Sequence, residues 1–278
     1  MLRPAHPSDR ETLHRLTTSL ATYGFLTLPS SQNELEDLID CSQKSFLQKL
    51  SDPQDGQFLF VLEKDSDKKR EVIGSSLIIG RHGSPQSPHL YFQIDPLKKT
   101  LQLKAEATGR TELGGLILDP KFRGHPEKLG KCLSLIRLLY IETHPHFFYQ
   151  NILAEFLPPL SPKKDPPLWE ALGQRFTGLS YREADRLART NKTFILQHFP
   201  KEEIPIDSLP LEAQKMIGVV GADTQTAVRI LSSVGFRYLN QIDPFDGGPH
   251  YGVSLKEMKR DIVHSFFRSK ISIRWEIS

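Results

Sequence analysis

The chain is short of the residues that announce a function by themselves. It has two cysteines among 278 residues, Cys41 and Cys132, both in helix-like segments and without metal-ligand spacing. Free buried thiols are therefore expected, and neither a disulfide framework nor a thiolate zinc site. No apolar run approaches the length of a membrane span, and the opening MLRPAHPSDRETL lacks the apolar core of a signal peptide, so a cytoplasmic protein with no membrane partner is expected. Charge of one sign is also missing: 36 Lys and Arg against 33 Asp and Glu leave a net +3 spread along the chain, with no basic tail or stripe to argue for nucleic acid. What remains, 38% hydrophobic and 25% charged residues, suits one large or two modest globular domains with a sizeable core. With acids and bases so nearly equal, histidine is the type that can tip the balance near neutral pH.

The most informative stretch is 111–140, TELGGLILDPKFRGHPEKLGKCLSLIRLLY. Residues 113–118 form an apolar run of strand length, and Asp119-Pro120 ends it, because proline cannot donate to a ladder and pushes its neighbour out of helical space. From about Glu127 the period becomes helical, with Leu129, Cys132, Leu133, Ile136 and Tyr140 recurring at three- and four-residue steps. A strand thus feeds a basic, glycine-containing loop and then a helix. Arg123, Gly124, Gly130 and Lys131 surround the first turn of that helix, where unpaired N–H groups and the dipole favour an anion such as a diphosphate. A plain strand-to-helix corner that binds nothing is the competing reading, since many α/β units share this construction.

Around this stretch, residues 2–4 read as a first strand and His6-Pro7-Ser8-Asp9 as the start of a helix with Leu13, Leu16 and Leu20 on its apolar face. Residues 25–29 are a loop, 31–50 a second amphipathic helix, and 58–63 with 71–79 a hairpin across the charged turn KDSDKKR. The signal is weaker over 81–110, an insert with strands at 90–94 and 101–103 and a candidate cover for the site. Residues 151–157 read as a strand beside the central one, 158–167 as a Pro-rich connector, and 168–173 as a short helix ending in a glycine cap. Then follow a helix at 181–189, a strand at 193–199, a helix at 211–217, a strand at 236–242 and a tight turn at 245–249. Residues 254–264 form a helix capped by Ser254, and the closing KISIRWEIS alternates as an edge strand. LWEALGQRF at 168–176 and VRILSSVGF at 228–236 both place a short helix before a glycine and an aromatic strand start, a partial echo between halves.

The order LILDPKFRG followed by a Gly-Lys helix start resembles the acyl-CoA site of the Gcn5-related N-acyltransferases, in which the backbone after the fourth strand holds the pyrophosphate of coenzyme A. Seven pieces in order, RPAHPSD, LTLP, FVLE, TGRTELGGLILDPKFR, LWEALGQRF, AQKMIG and GFRYLNQIDPFDGGP, are similar to the arginine N-succinyltransferases, and span nearly the whole chain. The resemblance implies an α/β fold of the Gcn5-related acyl-CoA N-acyltransferase type: a mixed, mostly antiparallel sheet flanked by helices, in two interlocked halves, 1–160 and 161–278. It implies transfer of succinyl from succinyl-CoA to the α-amino group of arginine in arginine catabolism, no metal, and a possible homodimer. It places Leu116, Ile117 and Leu118 against succinyl-CoA, the backbone N–H of Leu116 polarising the thioester carbonyl where charge develops. Arg123, Gly124, Gly130 and Lys131 would hold the diphosphate. Glu155, Asp246, Gly247 and Gly248 would face the acceptor amine; an ordinary Asp-Gly turn and a solvent-facing strand position are the competing readings for Asp246 and Glu155.

The chain departs from the family pattern in ways that bear on chemistry. HPEKL interrupts the usual Arg-Gly-x-Gly-x-Gly/Ala run between Gly124 and Gly130. The family's catalytic His, which follows GQV, corresponds to Gly221, and the strand reading EMRG is here Glu155-Phe156-Leu157-Pro158, without the Arg. Glycine cannot exchange a proton. The nearest substitutes in sequence are Asp223 and His250, whose competing readings are a helix N-cap before 224–231 and a surface turn residue. His125 is either a phosphate contact or an exposed loop residue. The alternative functions are an acyltransferase for another amine or acyl group, and a non-catalytic protein that keeps a CoA-shaped cleft.

Overall fold

The computed structural model describes residues 1–20, 28–29, 31–66, 69–161, 164–188, 191–268 and 273. Ten strands, β1 (Leu2–Pro4), β2 (Gln57–Ser66), β3 (Lys69–His82), β4 (His89–Asp95), β5 (Thr100–Glu106), β6 (Arg110–Leu118), β7 (Asn151–Glu155), β8 (Ile204–Pro205), β9 (Arg237–Ile242) and β10 (Pro249–Ser254), form one sheet. Their order is β1-β2-β3-β6-β7-β10-β9-β4-β5-β8. Every pairing among these strands is antiparallel except β6 with β7. This is the mixed, mostly antiparallel sheet expected from the sequence.

Among the described residues nine helices accompany it: α1 (Arg10–Leu20), α2 (Gln32–Phe46), α3 (Leu129–Thr143), α4 (Gln174–Thr177), α5 (Tyr181–Ala188), α6 (Thr193–His198), α7 (Leu211–Met216), α8 (Gln225–Ser233) and α9 (Arg260–Phe267). The two-residue period of β2 sorts its side chains into two cores. Phe58, Phe60 and Leu62 pack with residues of α3, α8 and α9, while Leu59 and Val61 pack with α1 and α2. Burying a side chain such as Phe58 contributes about 2 kcal/mol. The helix α3 is apolar on nearly all sides, as a helix held between the sheet and two others must be. A third core lies against β4 and β5, where Trp169, Ile195 and Phe199 meet Phe92 and Leu101. Among the described residues no helix is long and apolar enough to cross a membrane.

Several local expectations are corrected. Residues 193–198 are helical, not a strand: Asn191 Oδ1 accepts from the Thr193 N–H at 2.9 Å, and Phe194 with Ile195 reach one core by helical spacing. A short apolar run does not separate the two periods. Ser254 ends β10, paired with Asn151, and the helix begins only at Arg260. The strand 249–254 was not legible, because its Gly and His make a weak strand signal that the ladders on both sides override. Gly173 is not a cap. It sits inside a π-helical turn with its backbone against the Trp169 ring, and the following helix ends at Gly178, at φ +72°. The echo between 168–176 and 228–236 therefore fails, since only the second segment leads through a glycine into a strand. Residues 81–110 contribute β4 and β5 to the sheet. Of the last nine residues only Ile273 is described, as a parallel bridge to Leu2. Residues 25–27 of the expected loop also lie outside the described residues. Cys41 and Cys132 are free thiols, the second buried and pushed up to about 11 by desolvation.

One buried cation pins α3 to the sheet. Arg137 is 2% exposed and donates to Gly114 O at 3.1 Å, Ser134 O at 3.2 Å and Ser134 Oγ at 3.3 Å. Burial pulls it down to about 9 against the opposing field of Glu112, so it is still charged at neutral pH. Arg137→Ala removes these donors and leaves a cavity, and is expected to lower unfolding free energy by about 3 kcal/mol in urea denaturation. A loss below about 1 kcal/mol would contradict this role.

Candidate active site

β6 and β7 pair only at Thr111–Ile152 and Glu112–Leu153. Beyond those two pairs β7 continues against β10 and β6 against β3, so the facing edges of β6 and β7 part. A bulge marks the same place: Gly115 and Leu116 lie between Gly114 and Ile117, opposite the single residue Ser76. Gly115 has φ +56°, and a Cβ there would lie 2.8 Å from Leu77 Cβ. Both the backbone angle and the space require glycine. Leu116 is left without a partner in either ladder. Ile117 faces the α1–α2 core, so only its backbone is available to the gap, whereas Leu116 and Leu118 are half-buried on the α3 side.

The loop after β6 closes on itself. Asp119 Oδ1 accepts from Lys121 N–H, and Arg123, His125 and Lys128 N–H donate to Pro120, Phe122 and His125 carbonyls. HPEKL is thus accommodated as an excursion exposed at Pro126, Glu127 and Lys128, and its Leu129 is the buried first residue of α3. Lys128, at φ 54°, is the N-cap and makes no side-chain cap bond. The first N–H groups of α3 therefore have no intrahelical or capping partner. A Cβ at Gly130 would meet only Leu118 Cδ2, at 3.7 Å, and one at Gly124 nothing within 4 Å. The protein itself does not demand glycine at Gly130; a ligand approaching the backbone would. Of the two expected cations, Arg123 pairs with Asp223 at 3.3 Å, both half exposed or more, and Lys131 Nζ lies 5.0 Å over the Phe266 ring. His125 contacts Lys64 Nζ at 2.6 Å.

At the end of β7 stands Glu155, not a solvent-facing residue but the centre of a histidine cluster. Its Oε1 is 3.1 Å from His89 Nε2, 3.7 Å from His82 Nε2 and 3.7 Å from His250 Nε2. None of these contacts has hydrogen-bond alignment, and the facing ring nitrogens are buried without a partner. His82 Nδ1 is 2.7 Å from Glu112 Oε2. His250, expected on the surface, is fully buried on β10 directly opposite Glu155. Burial drives His250 down to about 4 against the pull of Glu155, and lowers His89 in the same way. Burial also works against charge on His82, but the Glu112 and Glu155 carboxylates outweigh it and raise it. For Glu155 burial pushes up while the three imidazoles pull further down, leaving it well below the usual carboxylate range. At neutral pH the cluster therefore holds an ionised Glu155 beside two neutral imidazoles, His89 and His250, with His82 shifted the opposite way.

The FDGGP turn packs against this end. Asp246 Oδ1 accepts from Gly248 N–H at 2.7 Å, and Gly248 lies against the Phe156 carbonyl, as close backbone approach requires. Burial, then neighbouring Asp243, raise Asp246 well above the carboxylate range; burial and Glu155 push Asp243 to about 7. The Asp246 carboxyl is thus engaged within its own turn. Asp223 is exposed and is not the cap of α8, a position held by Thr224. Gly221 donates its N–H to Leu157 O at 2.9 Å, and a Cβ there would stand 2.7 Å from Pro158 O.

The structure thus gathers Leu116, Leu118 and Gly130 at one end of the gap and Glu155, His250, Gly221 and Asp246–Gly248 at the other, with the Arg123–Asp223 pair between the loop and the residues before α8. Sequence reasoning missed His82, His89, Glu112 and Asp243. They come from β3, β4, β6 and the turn after β9, and no local spacing announces such a group.

The model of the arginine N-succinyltransferase beta subunit matches residues 1–260. The chain belongs to the arginine N-succinyltransferase family. It is 32% identical over 261 residues to arginine N-succinyltransferase subunit beta of Pseudomonas aeruginosa, covering 90% of this chain and 75% of that protein. Against arginine N-succinyltransferase of Photorhabdus laumondii the identity is 33% over 261 residues, covering 89% and 74%. The solved arginine/ornithine succinyltransferase subunit AI of Pseudomonas aeruginosa superposes with a TM-score of 0.77 at 25% identity, over 95% of this chain and 78% of that one. The fold is of the acyltransferase type that the resemblance implies.

Within this family the expected response to Gly221→His is informative. The Cβ contact with Pro158 O leaves no room for a side chain on the present backbone, so this variant is expected to lose about 2 kcal/mol of stability in thermal or urea melts and to gain no activity. A stable Gly221→His protein with raised turnover would show that the loop accommodates the ring.

Proposed function

We propose that the chain transfers a succinyl group from succinyl-CoA to the α-amino group of arginine. The observation that carries this reading is the parting of β6 and β7 at a glycine bulge, on the strand whose Leu118 approaches the uncapped start of α3, in a chain matched to its family over residues 1–260. The unpaired backbone at Leu116 supplies an oxyanion donor, worth typically a few kcal/mol of barrier. The first N–H groups of α3, with Gly130 leaving room and Arg123 released from Asp223, take the diphosphate. The acceptor ammonium enters at the other end, where the ionised Glu155 carboxylate orients it.

The ammonium gives one proton to a base; the freed amine attacks the thioester carbonyl, the C–S bond breaks, and the second N–H proton passes to the departing sulfur, so that CoA leaves as the thiol. Gly221 cannot be that base. The imidazoles of His89 and His250, stacked on each other beside Glu155 with ring centroids 5.3 Å apart, stand in for it. No covalent enzyme intermediate is required.

The test is calorimetric titration with succinyl-CoA followed by a thiol-release assay with arginine and ornithine. Succinyl-CoA is expected to bind and arginine to release thiol. Absence of CoA binding would sink the acyltransferase reading, and binding without release on either amine would sink arginine as acceptor. Gly130→Asp is expected to fold normally and to weaken succinyl-CoA binding by roughly tenfold, because its carboxylate would occupy and repel the anion position. Unchanged affinity would move the diphosphate elsewhere.

A further inference from the structure

The donor set at the end of β7 is unusual for a site that needs only to hold an amine. Three imidazole Nε2 atoms converge on a single carboxylate oxygen at 3.1–3.7 Å, from strand ends fixed by their ladders. We propose that His82 Nε2, His89 Nε2 and Glu155 Oε1 form a binding site for a divalent transition-metal ion of the zinc or cobalt kind, walled by His250. One possible ligand atom from each of the three residues lies within 4.8 Å of the other two, and the two Nε2 atoms are 3.7 and 3.1 Å from Oε1. With metal–nitrogen and metal–oxygen bonds of about 2.1 Å, donors around a tetrahedral ion stand about 3.4 Å apart, close to the separations found here.

Three further observations point the same way. His89 is 3% exposed and His250 0%, yet their ring nitrogens, with His82 Nε2, have no hydrogen-bond partner. Buried polar nitrogens without partners, three of them Nε2 atoms within 3.7 Å of one carboxylate oxygen, are costly unless something completes them. His82 also carries the outer support that ligating histidines use: its Nδ1 faces Glu112 Oε2 at 2.7 Å, which fixes the ring and turns Nε2 toward Glu155. Finally, two imidazoles and one carboxylate favour zinc, cobalt or nickel over magnesium or calcium, which prefer oxygen.

The ion would occupy the place beside Glu155 assigned above to the acceptor ammonium. Zinc is then an inhibitor competitive with the amine and not with succinyl-CoA; this consequence, unlike the binding itself, rests on the proposed function.

The experiment uses the full chain after chelator treatment, titrated with zinc chloride by calorimetry and with cobalt chloride by visible absorption, with magnesium chloride as the control. One ion per chain is expected, with the intense cobalt bands of a low-coordinate, nitrogen-containing site and no response to magnesium. His89→Gln and Glu155→Gln are each expected to weaken zinc binding by at least about tenfold. No binding by the folded chain, or binding unchanged in the His82→Gln/His89→Gln double variant, would overturn the assignment. If those variants fail to fold by circular dichroism, the cobalt spectrum of the unaltered chain decides: weak octahedral bands would overturn it. Thiol release by the metal-free chain tests acyl transfer separately, so either idea can fail alone.

Discussion

Two parallel strands that run together for only two residue pairs constrain everything placed around them. β6 is held on its other edge by β3, and β7 by five pairs with β10, so neither can close the gap without giving up its antiparallel partner. Backbone N–H and C=O groups facing such a gap are costly in a dry interior, and they are tolerated where a ligand or water completes them. The glycine bulge at Gly115 and the Arg137 guanidinium on the Gly114 carbonyl fix the shape of one lip. The other lip ends at Glu155, and both proposed ligands of the reaction meet there.

Much of the first lip was legible in the sequence. The run 113–118, the Asp119-Pro120 stop and the change of period after Glu127 are local signals, and each reports a local fact: strand, break, helix. Even the HPEKL excursion reads correctly as loop. What failed was local in another way. Thr193-Phe194-Ile195 has the composition of a strand, and the Asn191 carboxamide on Thr193 N–H together with the core beneath make a helix there. The strand carrying His250 has little strand propensity and exists because β7 and β9 flank it.

The second lip was mostly illegible, for a physical reason. His82, His89, Glu112, Glu155 and His250 are brought together by ladder registers between segments as much as 168 residues apart, and sequence spacing carries no trace of that. Gly221, which the resemblance aligns with the family His, belongs to a single short segment and can be singled out from sequence alone. A group of histidines recruited from separate strands can be recognised only after the sheet is assembled. Their surroundings change their chemistry as well, so that neighbouring imidazoles in one cluster shift in opposite directions.

The strand order carries a consequence for how the chain folds. β4 and β5 are made early, but β4 finds its neighbour β9 only when residues 237–242 arrive, and β5 pairs on its outer edge with residues 204–205. Until then this hairpin presents two open edges, each a template for pairing with another chain. The sheet is therefore completed late, by contacts of high sequence separation, which makes assembly slow and exposes it to competition from intermolecular pairing during synthesis. A chain interrupted after β7 would keep the strands of the first lip and have no partner for the hairpin that supplies His89.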